Sequence, residues 1–369
     1  MPRIALDVTA ARLGQAGSAV YITNLQRGLS RVLGDRLHTI ASRWAAPLGA
    51  RRTLGDRART LLRDLWWHQV GVCRAARRGG CGLLHMPAGV GPVRSSLPLV
   101  VTVHDVALVR FPQLFRPWHR TYGRLALRGV TRAARAVIAI SHATKRDLVE
   151  RLGVPEERIT VVPNGVDPAY APVPTDSDPA LEVRRRYALP ERFILTVGAI
   201  EPRKNLRRLF EALRRVAARP DARDVALIHA GPDGWLADDV PHAAHAIANG
   251  RVRFLGYVSA PDLAVLYGLA QCLAYPSLWE GFGLPVLEAM ACGCPVLTSR
   301  VSALPELTGD AALLVEPTSV EEISDGLGRL WSDGSLRALL ARRGIERARQ
   351  FTWERTARET LAVYHAALS

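Results

Sequence analysis

The chain has 369 residues, 48% apolar and 22% charged, with a net charge of +15. That balance fits a soluble globular protein long enough for two domains with a large core, and it excludes a disordered chain. Five scattered cysteines, Cys73, Cys81, Cys272, Cys292 and Cys294, contain no Cys-x-x-Cys pair, which argues against a disulfide framework or a structural zinc site and favours a reducing compartment.

Residues 1–10 read as a strand rather than a signal peptide, and no apolar run approaches the roughly 18 residues of a membrane span. A cytoplasmic location is therefore expected. The basic excess is uneven: residues 1–175 hold 26 Lys+Arg against 10 Asp+Glu, and residues 176–369 hold 23 against 24. Lys145 and Lys204 are the only lysines.

In chain order, the first half reads as strands near Arg3–Val8, Leu83–His85, Leu99–His104, Val137–Ile140 and Ile159–Val162. Helical stretches near Ala19–Leu33, Arg57–Arg77, Arg116–Arg132 and Thr144–Leu152 interleave with them, a βαβ pattern that predicts a parallel sheet. Gly14 and Gly17, in the first strand-to-helix loop, could let a ligand approach the backbone. His104-Asp105 closes the apolar run Leu99–Val103, where an imidazole could either meet a reacting sugar or be a satisfied structural histidine. Arg116, Arg120, Arg124, Arg128 and Arg132 recur every four residues. Such a stripe is either a solvated helix face or a surface for anionic lipid, worth about 1 kcal/mol per cation near a charged membrane.

The stretch Ala169–Pro190 carries Pro172, Pro174, Pro179 and Pro190, and reads as a linker with a charged helix inside it. A second alternating half follows, with strands near Phe193–Val197, Val225–His229, Val252–Leu255, Cys272–Tyr275 and Val296–Thr298. Its helices are expected near Leu206–Ala218, Asp262–Ala270, Pro285–Ala291, Val320–Leu330 and Leu336–Arg349. The fold class is α/β: two facing Rossmann-like doubly wound domains with a cleft between them. The expected boundaries are 1–170, a linker at 171–190, 191–350, and a C-terminal helix in 351–369 that packs back toward the first domain.

Ligands in such sheets bind at the carboxyl ends of the strands. After Phe193–Val197 comes Gly198-Ala-Ile-Glu-Pro-Arg203-Lys204-Asn205, two adjacent cations before a helix that Asn205 could cap. They suit a diphosphate clamp, although solvated loop charges read the same way. After Val225–His229 comes Ala230-Gly231-Pro-Asp, read as a structural turn. After Cys272–Tyr275 the chain runs Glu280-Gly-Phe-Gly-Leu-Pro-Val-Leu-Glu288. Gly281 and Gly283 precede a helix that begins near Pro285, so backbone N–H groups and the positive dipole end could face an anion while two carboxylates take sugar hydroxyls. The same segment also reads as a plain strand-to-helix turn with two surface glutamates.

Together these pieces resemble glycosyltransferase family 4, retaining enzymes of the GT-B fold, over nearly the whole length. The matching stretches are Gly17-Ser-Ala-Val-Tyr21, Val101-Thr-Val-His-Asp105, Val161-Val-Pro-Asn-Gly-Val-Asp167, Glu201-Pro-Arg-Lys-Asn205, Phe254-Leu-Gly-Tyr-Val258 and residues 276–290. The resemblance implies that Glu280 contacts the donor sugar, Glu288 the ribose, and Arg203 and Lys204 the diphosphate. It implies that His104 lies near C6 of the sugar, and that the loop Gly256, Tyr257, Val258 meets the nucleobase. Gly17, Gly281, Phe282, Gly283 and Leu284 complete the implied donor contacts. Relatives often read Gly-Ile-Gly-Arg-Tyr at the N-terminal motif, so Ala19 and Val20 depart from the pattern and take no role.

The implied reaction is transfer of a hexose with retention and without a metal or other cofactor. The one Asp-x-Asp, Asp176-Ser-Asp178, sits in the proline-rich linker. The Glu-Pro-Arg-Lys-Asn form looks like that of mannosyltransferases using GDP-mannose, with a saccharide or lipid-linked saccharide as acceptor in cell-envelope or exopolysaccharide synthesis. A UDP-sugar enzyme of the same fold and a non-catalytic GT-B scaffold are the alternatives. The basic half allows peripheral contact with an anionic membrane surface. Nucleic acid is not expected as a partner, because zinc-finger spacing and aromatic RNA-binding runs are missing.

Overall fold

The computed structural model describes residues 1–13, 17–45, 60, 62–114, 117–234 and 239–369, with the side chains of 63, 64 and 114–122 outside the description. Gly14, Arg57 and Arg116 fall outside the described residues. The chain divides into two compact units, Met1–Gly165 with Thr352–Ser369, and Val166–Phe351.

Unit 1 is built on a six-stranded sheet of β1 (Arg3–Asp7), β2 (Leu37–Ile40), β3 (Cys81–Met86), β4 (Leu99–Val103), β5 (Ala136–Ala139) and β6 (Ile159–Val161). All pairings are parallel, in the order β2-β1-β3-β4-β5-β6. The strands read as unbroken apolar runs because helices cover both faces. Ile4, Leu6, Leu83, Val100 and Ile138 point to one core, and Ala5, Leu84, Val101, Val137 and Ala139 to the other.

The first of these cores is closed by helix Gly17–Leu33 through Ile22, Leu25 and Leu29, and by the C-terminal helix Trp353–Leu368 through Trp353, Ala357 and Tyr364. A Cβ on Gly28 would lie 2.8 Å from that of Ala357, so a glycine is what lets the two helices pack this closely. The C-terminal helix is therefore part of unit 1, far from it in sequence. Helix Pro117–Ala133 carries the arginine stripe, and of its described side chains Arg124 and Arg132 are exposed. Arg128 instead turns its guanidinium to the Arg151 carbonyl at the end of helix His142–Leu152.

Unit 2 has a second six-stranded parallel sheet: β7 (Ile194–Val197), β8 (Leu227–Ala230), β9 (Val252–Phe254), β10 (Cys272–Tyr275), β11 (Val296–Ser299) and β12 (Leu313–Val315), in the order β12-β11-β10-β7-β8-β9. Helices Leu206–Ala217 and Val320–Ser332 cover one face through Leu209, Phe210, Leu213, Ile323 and Leu327. The expected linker 171–190 lies within unit 2 and holds the helix Asp178–Arg186.

Two strands escape the sequence reading, β2 and β12. Each is an edge strand, covered less completely and too short to show a period. The stretch read as one helix at Arg57–Arg77 is instead, where described, a π-helical segment Leu62–Gly71 running into an α-helix Val72–Arg78.

Candidate active site

The strand order of unit 2 reverses between β7 and β10, which are neighbours although β8 and β9 separate them in sequence. Helices on opposite faces leave a crevice at such a switch point, and the loops that follow the two strands meet there. Those loops are 198–205 and 276–283. Leu278 N–H donates to the Arg203 carbonyl at 2.9 Å, stitching one loop to the other.

The charged side chains of both loops form one cluster. Glu280 is 6% exposed, and its Oε2 accepts from Arg203 Nη1 at 2.7 Å while its Oε1 accepts from Lys204 Nζ at 2.8 Å. Lys204 also donates to the Tyr275 hydroxyl at the end of β10. The other arm of Arg203 reaches Glu201 Oε1 at 2.6 Å, and Glu201 is itself buried. Burial alone would raise the Glu280 pKa, but Lys204 and Arg203 outweigh it and hold the carboxyl at about 2. Burial pushes Glu201 the other way, above its ordinary value, against the pull of the same two cations. Two cations and two carboxylates thus balance in a nearly dry space. The Ser277 hydroxyl adds to the hydrogen bonds that favour the ionised Glu280.

Three backbone features hold the cluster in place. Gly198 has φ +127, and a Cβ there would come within 3.2 Å of Lys204 Cε, so the glycine gives the lysine its path. Ser302 Oγ accepts the Glu280 N–H at 3.0 Å. Gly283, at φ +108, is the N-cap of helix Leu284–Ala291, and a side chain there would press on Leu304. Asn205 does not cap the following helix as its sequence position suggested. It sits in the left-handed region with no side-chain cap bond, and its buried amide instead donates to the carbonyls of Pro276 and Pro317. Two carbonyls left without partners inside the protein would cost more than a cap returns.

Glu280 and Glu288 answer to different neighbours. Glu288, partly exposed on helix Leu284–Ala291, accepts from the Tyr267 hydroxyl at 3.1 Å. Burial pushes its carboxyl up to about 7, with the Asp167 charge adding to the rise and the Tyr267 bond opposing it. Gly281 and Phe282 are buried, and the Phe282 ring packs edge-on against Phe351, so that side chain belongs to the core. The loops after β8 and β9 continue the same rim. A Cβ on Gly231 would lie 2.0 Å from the Gly198 carbonyl oxygen, and Gly231 N–H donates to the Gly256 carbonyl at 2.8 Å. Gly256 takes φ +69, Tyr257 is exposed and Val258 is buried.

Residues 16–170 match the family model described as Glycosyltransferase Family 4, and residues 182–350 the one described as Glycosyl transferases group 1. The O-antigen chain mannosyltransferase B of Escherichia coli is 34% identical over 269 residues, covering 72% of this chain and 69% of that protein. The chain belongs to the group 1, family 4 glycosyltransferases. The D-inositol 3-phosphate glycosyltransferase of Salinispora tropica is 35% identical over 298 residues, 75% of this chain and 60% of that protein's length. The crystal structure of Anabaena HepE in complex with UDP-glucose superposes with a TM-score of 0.76 at 20% identity, over 99% of this chain and 100% of that one, which shows a shared GT-B fold.

In this glycosyltransferase His104 stands at the end of β4 in unit 1, where its Nε2 lies 2.8 Å from the Pro87 carbonyl oxygen. A carbonyl only accepts, so Nε2 carries the proton, and burial keeps the imidazole neutral by lowering its pKa. Gly17 is the exposed first residue of helix Gly17–Leu33, and Tyr21, one turn on, meets the His104 ring edge-on at 4.7 Å. Behind them runs a buried polar chain in which Tyr21 Oη and His85 Nε2 both meet Thr102 Oγ1, and His85 Nδ1 meets the Tyr364 hydroxyl at 2.6 Å.

The sequence reading passed over Glu201, Tyr275 and Tyr267. Glu201 lies in the same run as Arg203, but a glutamate two residues from an arginine is a common surface pattern. In the folded chain it is buried and paired with Arg203, which no local pattern shows.

Proposed function

We propose that this glycosyltransferase moves a hexose with retention of configuration, and that the donor is GDP-mannose. The acceptor is a saccharide or lipid-linked saccharide of the cell envelope or an exopolysaccharide. The observation that carries the reading is the pair Arg203 and Lys204 held on Glu280 at the switch point beside the N-terminus of helix Leu284–Ala291. In this scheme Arg203 and Lys204 donate hydrogen bonds to the leaving diphosphate while keeping their pairing with Glu280, the N-terminus of the helix adds its dipole, and no metal takes part. Glu280, ionised far below neutral pH, accepts hydroxyls of the transferred sugar. Glu288 takes the ribose and the 256–258 loop the base. The nucleotide phosphate itself receives the acceptor proton in front-face attack, so a protein nucleophile has no part in it.

Mannose is favoured by the mannosyltransferase named above. A UDP-sugar is the second reading, favoured by the fold shared with a protein solved with UDP-glucose. The four charged residues argue against a silent scaffold, because burying them together costs stability that a mere scaffold could recover with apolar residues.

A peripheral association with anionic membrane belongs to the same proposal. Unit 1 exposes Leu65, Trp66 and Leu125 as well as Arg124 and Arg132, apolar and basic groups that suit a charged interface. Among the described residues, no helix is long and apolar enough to cross a membrane.

The deciding experiment is a calorimetric screen of GDP- and UDP-sugars, followed by product analysis by NMR with the tightest donor, with and without EDTA. An α-mannosyl product from GDP-mannose at undiminished rate in EDTA is expected. A β-product, or loss of turnover with EDTA, overturns the retaining, metal-independent scheme.

A further inference from the structure

Tyr267, in helix Ala260–Leu269, is fully buried. At a fully buried position a phenylalanine would fill nearly the same volume without a polar atom to satisfy. The hydroxyl has one described partner, Oε2 of Glu288 at 3.1 Å. Its ring is fixed in turn by Tyr170, which meets it edge-on with centroids 6.1 Å apart. A glutamate side chain loses rotamer freedom whenever it is held for a ligand, and a rigid partner on one oxygen removes that cost before the ligand arrives.

We propose that Tyr267 is a positioning residue for nucleotide recognition: its hydroxyl fixes Oε2 of Glu288 and presents Oε1 to the ribose hydroxyls of the donor. The proposal rests on the reading of Glu288 as the ribose ligand. The groups that face this carboxylate are the Tyr267 and Tyr170 phenols, the Cys292 thiol and the Asp167 carboxylate. Of these, Tyr267 is the hydrogen-bond donor that favours the ionised form, whereas the Asp167 charge disfavours it.

The test measures binding of GDP and of UDP by calorimetry from pH 5.5 to 9, for the wild type, Tyr267→Phe, Glu288→Gln and the double variant, with melting curves to check folding. Tyr267→Phe should bind nucleotide roughly three- to tenfold more weakly at pH 7, the scale of one hydrogen bond. Its pH midpoint should move upward, because the ionised carboxylate has lost a donor, and the substitution should add nothing in the Glu288→Gln background. A Tyr267→Phe profile that superposes on the wild type while Glu288→Gln weakens binding overturns the positioning role alone. If Glu288→Gln itself leaves affinity and pH profile unchanged, the ribose reading beneath it falls.

Discussion

Lys204 Nζ lies 2.8 Å from Glu280 Oε1, although 76 residues separate them in the chain. The lysine lies in the loop after β7 and the glutamate in the loop after β10, so the contact exists because these two strands are neighbours at the point where the sheet order reverses.

Lys204→Ala removes one of two cations at the proposed diphosphate position. Arg203 still pairs with Glu280, so the fold should persist, whereas kcat/KM for the best donor should fall by about 100-fold or more, as for loss of a preorganised electrostatic group. Radiolabelled sugar transfer measures this. A wild-type rate would reject the clamp.

Glu280 also links the site to acid stability. Its pKa of about 2 lies below the ordinary 4.5, so it contributes stability above pH 4.5 that is lost as the pH falls through 2. The contribution is on the order of 3 kcal/mol, for a group that is 6% exposed. Urea unfolding of the wild type and Glu280→Gln should differ most near neutral pH, and the gap should narrow steadily from pH 4.5 to 2.

Glu288 has the opposite sign. Its pKa is raised to about 7, so the stability tied to its proton is complete below pH 4.5 and gone once the pH has risen through 7. Glu288→Gln should therefore melt at or above the wild-type temperature at pH 8, while weakening nucleotide binding by roughly 1.5–3 kcal/mol at that pH. In the wild type, affinity should decline as the pH falls below 7. A variant that melts lower and binds normally would contradict both statements.

Gly231→Ala would drive a methyl group to within 2.0 Å of the Gly198 carbonyl oxygen. The loops after β7 and β8 must then part, and a loss of stability of about 2–4 kcal/mol is expected from such overpacking against backbone, together with a higher KM for the donor. Chemical denaturation and steady-state kinetics on the same variant check the two effects. An unperturbed KM would remove that loop from the donor rim.

Arg124→Glu with Arg132→Glu reverses the two members of the arginine stripe that are exposed among the described side chains. Flotation with vesicles rich in anionic lipid should show reduced association at low salt, by about 1 kcal/mol per charge removed. Equal flotation would make the stripe a solvated helix face.

Sequence alone determined the elements whose signal is local. The apolar runs of β1, β4, β5, β7 and β10, buried on both faces, and the helices after them were visible because a parallel sheet with two covers writes itself as unbroken hydrophobic stretches. The cations at 203 and 204 and the glutamates at 280 and 288 were likewise legible, since they follow such runs directly. Tertiary structure decided what no local pattern carries. Edge strands β2 and β12 gain their identity from a neighbour. Asn205 forgoes its cap for two distant carbonyls, Glu201 becomes buried, Tyr267 finds Glu288, and Trp353, Ala357 and Tyr364 close a core begun some 330 residues earlier by Ile22 and Leu25. Each of these depends on which strands and helices are adjacent, and adjacency is fixed by the burial of whole faces rather than by any short run of residues.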